Sequence, residues 1–175
     1  MGKATIPEPV KLIITFIFKD EAVFIKARGY LVRCFGMIDF ESPVLEFNST
    51  SYYTDEIGTG LKRKIISFKK NLSPQKLAGI KVLTNKLESR FVSCRKRRIN
   101  IDPGYLDQAK LVLASTKDYC HRIYLDKGIF AEITLFFQKG SFRGREWTYP
   151  DYSSPEYIGY FNHIRSLYRM QINVS

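Results

Sequence analysis

Residues 11–18, Lys-Leu-Ile-Ile-Thr-Phe-Ile-Phe, are β-branched, aromatic or apolar almost without a break, the pattern of a strand covered on both faces. The period then changes. Asp20 offers an N-cap, Val23, Ala27, Tyr30 or Leu31, and Cys34 recur at helical spacing, and Gly36 suits a C-cap, which predicts a helix over 21–35. A turn and a short strand over 44–47 follow, with Pro43 marking the strand's start. A polar loop over 48–60 holds Tyr52-Tyr53 and two glycines, and 61–70 reads as a strand carrying Ile65, Ile66 and Phe68. Ser73-Pro74 opens a second helix whose buried stripe is Leu77, Ile80, Thr84, Leu87 and Phe91. A short strand over 97–102 is stopped by Asp102-Pro103-Gly104, which reads as a turn.

These elements run β-α-β-β-α-β over 10–102. That is the ferredoxin-like, split β-α-β order, and it predicts an antiparallel sheet with both helices on one face. Over 105–175 the pattern predicts an extension of the same sheet: 111–114 reads as a strand or as the end of a helix begun at Tyr105, with the strand preferred, 121–125 and 129–137 read as strands, and an aromatic- and proline-rich loop covers 140–155. Asp126-Lys127-Gly128 suits a three-residue hairpin loop with Gly128 left-handed. A last helix opens at Ser154-Pro155 and buries Tyr157, Phe161, Ile164 and Tyr168. The expectation is one α+β domain over 1–175.

Composition narrows the classes. Of 175 residues, 45% are apolar and 26% charged, which is globular rather than disordered composition. No apolar run approaches the ~18 residues of a membrane span, so no membrane partner is expected. Cys34, Cys94 and Cys120 are widely spaced and odd in number, against a disulfide framework or a zinc site, and the cytoplasm is the expected compartment. No metal site is expected either: His121 and His163 are far apart and share no ligand spacing with acids on one helix. The net charge of +11, clustered at Lys62-Arg63-Lys64, Lys69-Lys70 and Arg95-Lys96-Arg97-Arg98, favours anionic partners. A phosphorylated small molecule and RNA are the two partners it suggests, although the RNA-recognition, KH and helix-turn-helix signatures are absent. A solvated basic surface accounts for the same charge without a ligand.

The functional groups concentrate in residues 116–125, Thr-Lys-Asp-Tyr-Cys-His-Arg-Ile-Tyr-Leu. If Leu125 faces Ile129 across the hairpin, Tyr124 faces Phe130 and Arg122 faces Glu132. Arg122, Tyr124, Glu132 and Thr134 then share one face, with His121 and Ile123 on the other. A guanidinium held by a carboxylate suits phosphate, and equally serves as a cross-strand ion pair. A two-residue loop would instead set His121 opposite Glu132, a base held by an acid. Cys120 and His121 are strand neighbours on opposite faces, against a nucleophile pair. Gly58-Thr59-Gly60-Leu61-Lys62-Arg63-Lys64 lacks the spacing of a phosphate loop and leads into a strand. Trp147-Thr148-Tyr149-Pro150-Asp151-Tyr152 offers rings for stacking on a base or sugar, or for covering the core. The candidate site therefore gathers Lys117 and Arg122 for phosphate, Tyr124, Trp147, Asp151 and Tyr152 around the ligand, and His121 and Glu132 as proton carriers.

The chain resembles, nearly end to end, a bacterial family known as domain of unknown function 4416. The resemblance lies in Pro9-Val10-Lys11-Leu12, Phe35-Gly36-Met37-Ile38-Asp39-Phe40, Tyr52-Tyr53, Gly58-Thr59-Gly60-Leu61-Lys62-Arg63, Leu83-Thr84-Asn85 and Asn100-Ile101-Asp102-Pro103-Gly104-Tyr105. It continues through 110–125, Ala131-Glu132-Ile133-Thr134-Leu135 and 147–152. It implies a shared fold and brings no established activity. Some members carry a GTP-binding label, but the Walker lysine loop is absent here, and Thr116-Lys117-Asp118 lacks the guanine-reading Asn-Lys-x-Asp spacing. Three function classes follow: a protein, with or without enzymatic activity, that binds a nucleotide-like phosphorylated compound; an RNA-binding module; and an interaction protein with no small ligand.

Overall fold

The computed structural model describes residues 2–47, 57 and 59–173. Strand β1 (Lys11–Phe18) is buried along its whole length, as an unbroken apolar run requires. Helix α1 (Glu21–Phe35) starts where the Asp20 carboxylate accepts the Ala22 N–H at 2.8 Å and ends where Gly36 takes φ +90°. Strands β2 (Ile38–Glu41) and β3 (Leu45–Phe47) both pair with β4 (Leu61–Phe68). The sequence suggested one strand here. Two form because Ser42 breaks the ladder between them: its N–H donates to Ile65 O at 2.9 Å and its hydroxyl accepts the Ile65 N–H at 3.0 Å. Most of the loop expected over 48–60 lies outside the described residues.

A 3-10 turn (Pro74–Lys76) leads into α2 (Leu77–Ser89), followed by β5 (Ile99–Leu106), β6 (Lys110–Ser115), β7 (Arg122–Asp126), β8 (Ile129–Gln138), β9 (Ser141–Gly144) and α3 (Pro155–Ile172). All pairings are antiparallel. The order is β2-β4-β1-β5-β6-β8-β7, with β3 also on β4 and β9 also on β8. Among the described residues this is a mixed α+β fold of one nine-stranded sheet and three helices, a larger sheet than the sequence suggested. Helices α1 and α2 cover Leu12, Ile14, Phe16 and Phe18 on one face. On the other face α3 covers Ile13, Ile65, Leu111 and Leu135 with Tyr157, Phe161, Ile164 and Tyr168. Burying each such side chain stabilises the fold by about 1.5–3 kcal/mol. No helix among the described residues is long and apolar enough to cross a membrane.

Two local expectations are corrected. Asp102-Pro103-Gly104 is not a turn; β5 runs straight through it, with Pro103 opposite Ile14 on β1. The Ile101 N–H and C=O face away from β1, and Pro103, two residues on, has the same orientation. The missing proline N–H therefore falls on an edge where no neighbouring strand asks for it, because β6 pairs β5 only at Gly104, Tyr105 and Leu106. Gly104 marks the point of contact: a Cβ there would stand 2.4 Å from Val112 O.

The hairpin at 126–129 has a two-residue turn, not three. Asp126 pairs with Ile129, and Lys127 and Gly128 both take left-handed φ, +55° and +73°, as a type I′ turn needs. A register shift between Tyr124 and Asp126 adds the residue back, so Tyr124 still faces Phe130 and Arg122 still faces Glu132.

Candidate functional site

Below Gly104 in sequence, β5 and β6 diverge. Strand residues 99–103 leave β6, and the backbone edge they expose is completed by side chains of α2. Lys81 Nζ donates to Ile101 O at 3.0 Å, and Glu88 Oε1 accepts the Ile101 N–H at 2.7 Å. These are the two bonds a paired strand would have made, and an unmet pair would be costly in a buried place. Lys81 and Glu88 lie seven residues apart on the buried stripe of the helix, so both reach the same strand edge.

The gap so held open is a cavity of about 310 Å³. Arg63, from β4, and Asn100 and Asp102, from β5, form one wall, the end of β6 with Lys117 forms another, and Tyr149, Pro150, Asp151 and Tyr152 close it from the α3 side. Its lining carries five cationic side chains (Arg63, Lys81, Arg97, Lys117 and Arg122) and four carboxylates (Glu88, Asp102, Glu132 and Asp151). Lys81 Nζ also donates to Asp102 Oδ1 at 3.0 Å, and Asn100 Nδ2 donates to Asp102 Oδ2 at 2.6 Å. Arg97 Nη1 donates to Glu88 Oε2 at 3.0 Å.

Two neighbouring acids are driven apart. Burial raises the Glu88 carboxyl above the usual glutamate range, with the Asp102 charge adding to it, against the opposing pull of Lys81, the Ile101 N–H and Arg97. Asp102 is held below the usual range: Lys81, Arg63 and the Asn100 amide outweigh its burial. Two neighbouring carboxyls pushed in opposite directions are the arrangement general acid–base chemistry uses.

Arg63 is the most enclosed cation of the lining, only 4% exposed. Its guanidinium lies over Phe47 at 4.4 Å and near Tyr152 at 5.1 Å. Arg63 Nη1 comes within 2.7 Å of Asp151 Oδ2, close enough for an ion pair but off the direction a hydrogen bond needs. Two of its buried nitrogens, Nε and Nη1, therefore have no hydrogen-bonded acceptor among the described residues.

Of the residues singled out from the sequence, Lys117, Arg122, Glu132, Asp151 and Tyr152 line this cavity. Arg122 is tied on three sides: Nε and Nη2 each lie 2.9 Å from Glu132 Oε2, and Nη1 donates to Ser115 Oγ and Lys117 O at 2.9 and 3.0 Å. Glu132, 3% exposed, also takes His121 Nε2 at 3.2 Å and the Thr134 hydroxyl at 3.1 Å, which makes it the holder of Arg122. His121 therefore lies on the Glu132 side of the sheet and not on the opposite one. It precedes β7, so strand alternation does not govern it. It stands outside the cavity lining, stacked between Tyr119 and Trp147 at centroid separations of 5.9 and 5.2 Å. Trp147 is fixed by Nε1 donating to Ile133 O at 3.0 Å, filling the gap on β8 between β7 and β9. Tyr124 is exposed on the edge strand, away from the cavity. Tyr152 is a wall and not a platform: its ring stacks on Phe161, its hydroxyl meets Thr15 Oγ1 at 2.8 Å, and burial holds its phenol far above the ordinary tyrosine range.

The residues that sequence reasoning passed over are Arg63, Lys81, Glu88, Asn100 and Asp102. A signal existed for each. Arg63 alternates with Leu61 and Ile65, Lys81 and Glu88 interrupt an apolar helical stripe, and Asn100 and Asp102 alternate with Ile99 and Ile101.

The fold and its split sheet define an α+β protein with a charged cavity between β5 and β6. By sequence the chain belongs to the family described as domain of unknown function (DUF4416), whose model matches residues 8–168. No curated protein and no solved structure matches it.

Proposed function

We propose that this protein binds a small phosphorylated compound, nucleotide-like in chemistry, in the cavity between β5 and β6. The observation that carries the reading is Arg63, a buried cation with two N–H groups lacking hydrogen-bonded acceptors in the wall of a cavity whose cations outnumber its carboxylates by one. An oxyanion drawn into the cavity supplies the acceptors those donors lack once the guanidinium turns these enclosed nitrogens toward it. At about 310 Å³ the cavity sits at the small end of ligand sites, which run from roughly 300 to 1,000 Å³, and so suits one sugar- or mononucleotide-sized molecule. Lys117 at the mouth adds charge, and Arg122 is held ready by Glu132. If the bound compound is also transformed, Glu88 and Asp102 supply the proton donor and acceptor. We further infer that β5-β1-β4-β2 with α1 and α2 is a ferredoxin-like core to which β6–β9 and α3 are added, a reading supported by that strand order and by both helices lying on one face.

The test is thermal stability with matched pairs: glucose 6-phosphate and glucose, AMP and adenosine, and inorganic phosphate alone. Ligand at 100 times its Kd stabilises by about 2.7 kcal/mol, a rise of roughly 5–10 °C for a chain of this size. The expected result is a rise with a phosphorylated member and none with its dephosphorylated twin. No shift with any phosphorylated compound, together with a shift on adding RNA, would replace this reading by the RNA-binding one.

A further inference from the structure

We propose, on the strength of the phosphate reading above, that Asp102 reads the sugar of the bound compound: its carboxylate accepts hydrogen bonds from two hydroxyls on adjacent carbons, so the ligand carries a vicinal diol, as a ribose ring does and a 2-deoxyribose ring does not. Of the four carboxylates in the cavity lining, Asp102 alone is open to it. Its side chain is 26% exposed, against 4–6% for Glu88, Glu132 and Asp151. Its negative charge is secured by Lys81, Arg63 and the Asn100 amide, which outweigh its burial. An ionised carboxylate accepts hydrogen bonds and donates none, so it repels a phosphate and recruits hydroxyl donors.

A carboxylate offers about four acceptor directions, two on each oxygen. Lys81 Nζ takes one on Oδ1 at 3.0 Å and Asn100 Nδ2 takes one on Oδ2 at 2.6 Å, which leaves one on each oxygen. The same two donors fix the carboxylate plane before anything binds. Side-by-side oxygens of one carboxylate match side-by-side hydroxyls on neighbouring carbons, and an acid holding a ribose hydroxyl is the contact that dinucleotide-binding folds use. The placement suits one small molecule. Ile17 on β1 pairs with Arg63 on β4 and with Asn100 on β5, and Asp102 follows Asn100 on the same face. Arg63 and the Asn100–Asp102 pair therefore flank β1, two strand spacings or about 10 Å apart across the sheet. A phosphate drawn toward Arg63 and a diol on Asp102 can then belong to a single sugar phosphate, and repulsion between the two anions decides which end goes where. Asn85, between Lys81 and Glu88 on α2, also lines the cavity and makes no side-chain hydrogen bond among the described residues, so its amide can meet a third hydroxyl.

The test is calorimetric titration of the full chain with ribose 5-phosphate against 2-deoxyribose 5-phosphate, and with AMP against 2′-deoxy-AMP. Each pair differs by one hydroxyl and keeps the phosphate. The deoxy member is expected to bind at least about tenfold more weakly, or 1.4 kcal/mol. Asp102→Asn removes the charge and places a donor where a hydroxyl proton should go. It is expected to reduce the preference to less than about threefold, with the deoxy member bound no more weakly than by the parent. A carboxylate that serves only to hold Lys81 would instead give equal binding of ribo and deoxy members to the parent, or a variant that weakens both alike and keeps the preference. Either result overturns the proposal and leaves the phosphate reading standing. If Asp102→Asn does not fold, the ligand pairs alone decide, because they leave the protein untouched. Binding by no phosphorylated compound, ribo or deoxy, removes the phosphate reading itself and this proposal with it.

Discussion

Glu88→Leu tests the reason the cavity exists. The substitution keeps an apolar helix position but removes the acceptor from the Ile101 N–H and from Arg97. A buried N–H left without a partner costs about 1–3 kcal/mol. The lost ion pair adds less than a fully buried one because Arg97 is one-third exposed. The expected total is about 3 kcal/mol, or roughly 6–12 °C in Tm. Glu88→Gln retains an acceptor oxygen for Ile101 and is expected to cost only about 1 kcal/mol. Urea titration reads both, with an unchanged m-value as the sign that the native state is intact. The pH dependence has a definite sign. The Glu88 carboxyl is raised in the fold, so its proton favours the folded state. That contribution is full below the ordinary glutamate range and is lost as pH rises through the raised value. Glu88→Gln removes the loss, so the stability gap between parent and variant should narrow from about pH 4 to pH 7. Equal costs for the leucine and glutamine variants, or a gap that widens over that range, would refute the claim that Glu88 stands in for a missing strand partner.

Other consequences follow from the same geometry. Gly104→Ala drives a methyl to 2.4 Å from Val112 O, a backbone atom, so it should cost about 1–3 kcal/mol by urea denaturation and disturb the β5–β6 junction. Arg122→Met leaves the buried Glu132 carboxylate with only His121 and Thr134, at an expected cost of about 3 kcal/mol, and Arg122→Met/Glu132→Leu should recover most of it in the same titration. A phosphorylated ligand enclosed in the cavity should weaken less than about tenfold between 50 and 200 mM salt by calorimetry, whereas RNA held by six or more phosphates would lose about 10³-fold or more.

The elements that could be read from the sequence are those whose signals are local. An unbroken β-branched run gave β1, Asp20 and Gly36 bounded α1, and Ser154-Pro155 opened α3 above a stripe of Tyr157, Phe161, Ile164 and Tyr168. The facing of Arg122 and Glu132 was reached for a reason that only partly held: a shorter turn and a bulge cancel, leaving the register unchanged. What stayed hidden depends on distant partners. Pro103-Gly104 looks like a turn unless one knows that β6 has left that edge, and Lys81 and Glu88 look like solvated charges unless the edge they satisfy is in view. His121 reaches Glu132 from a turn, where alternation does not apply.

The central claim is that the split between β5 and β6 receives a phosphorylated compound. Amide chemical-shift mapping of the ¹⁵N-labelled chain, titrated with AMP and then glucose 6-phosphate, tests it most directly. The account predicts saturable shifts concentrated at residues 99–104, 113–117 and 149–152, together with the Arg63 side-chain Nε–H. Shifts confined to 95–98 and the outer basic surface, or none at millimolar ligand, would contradict it.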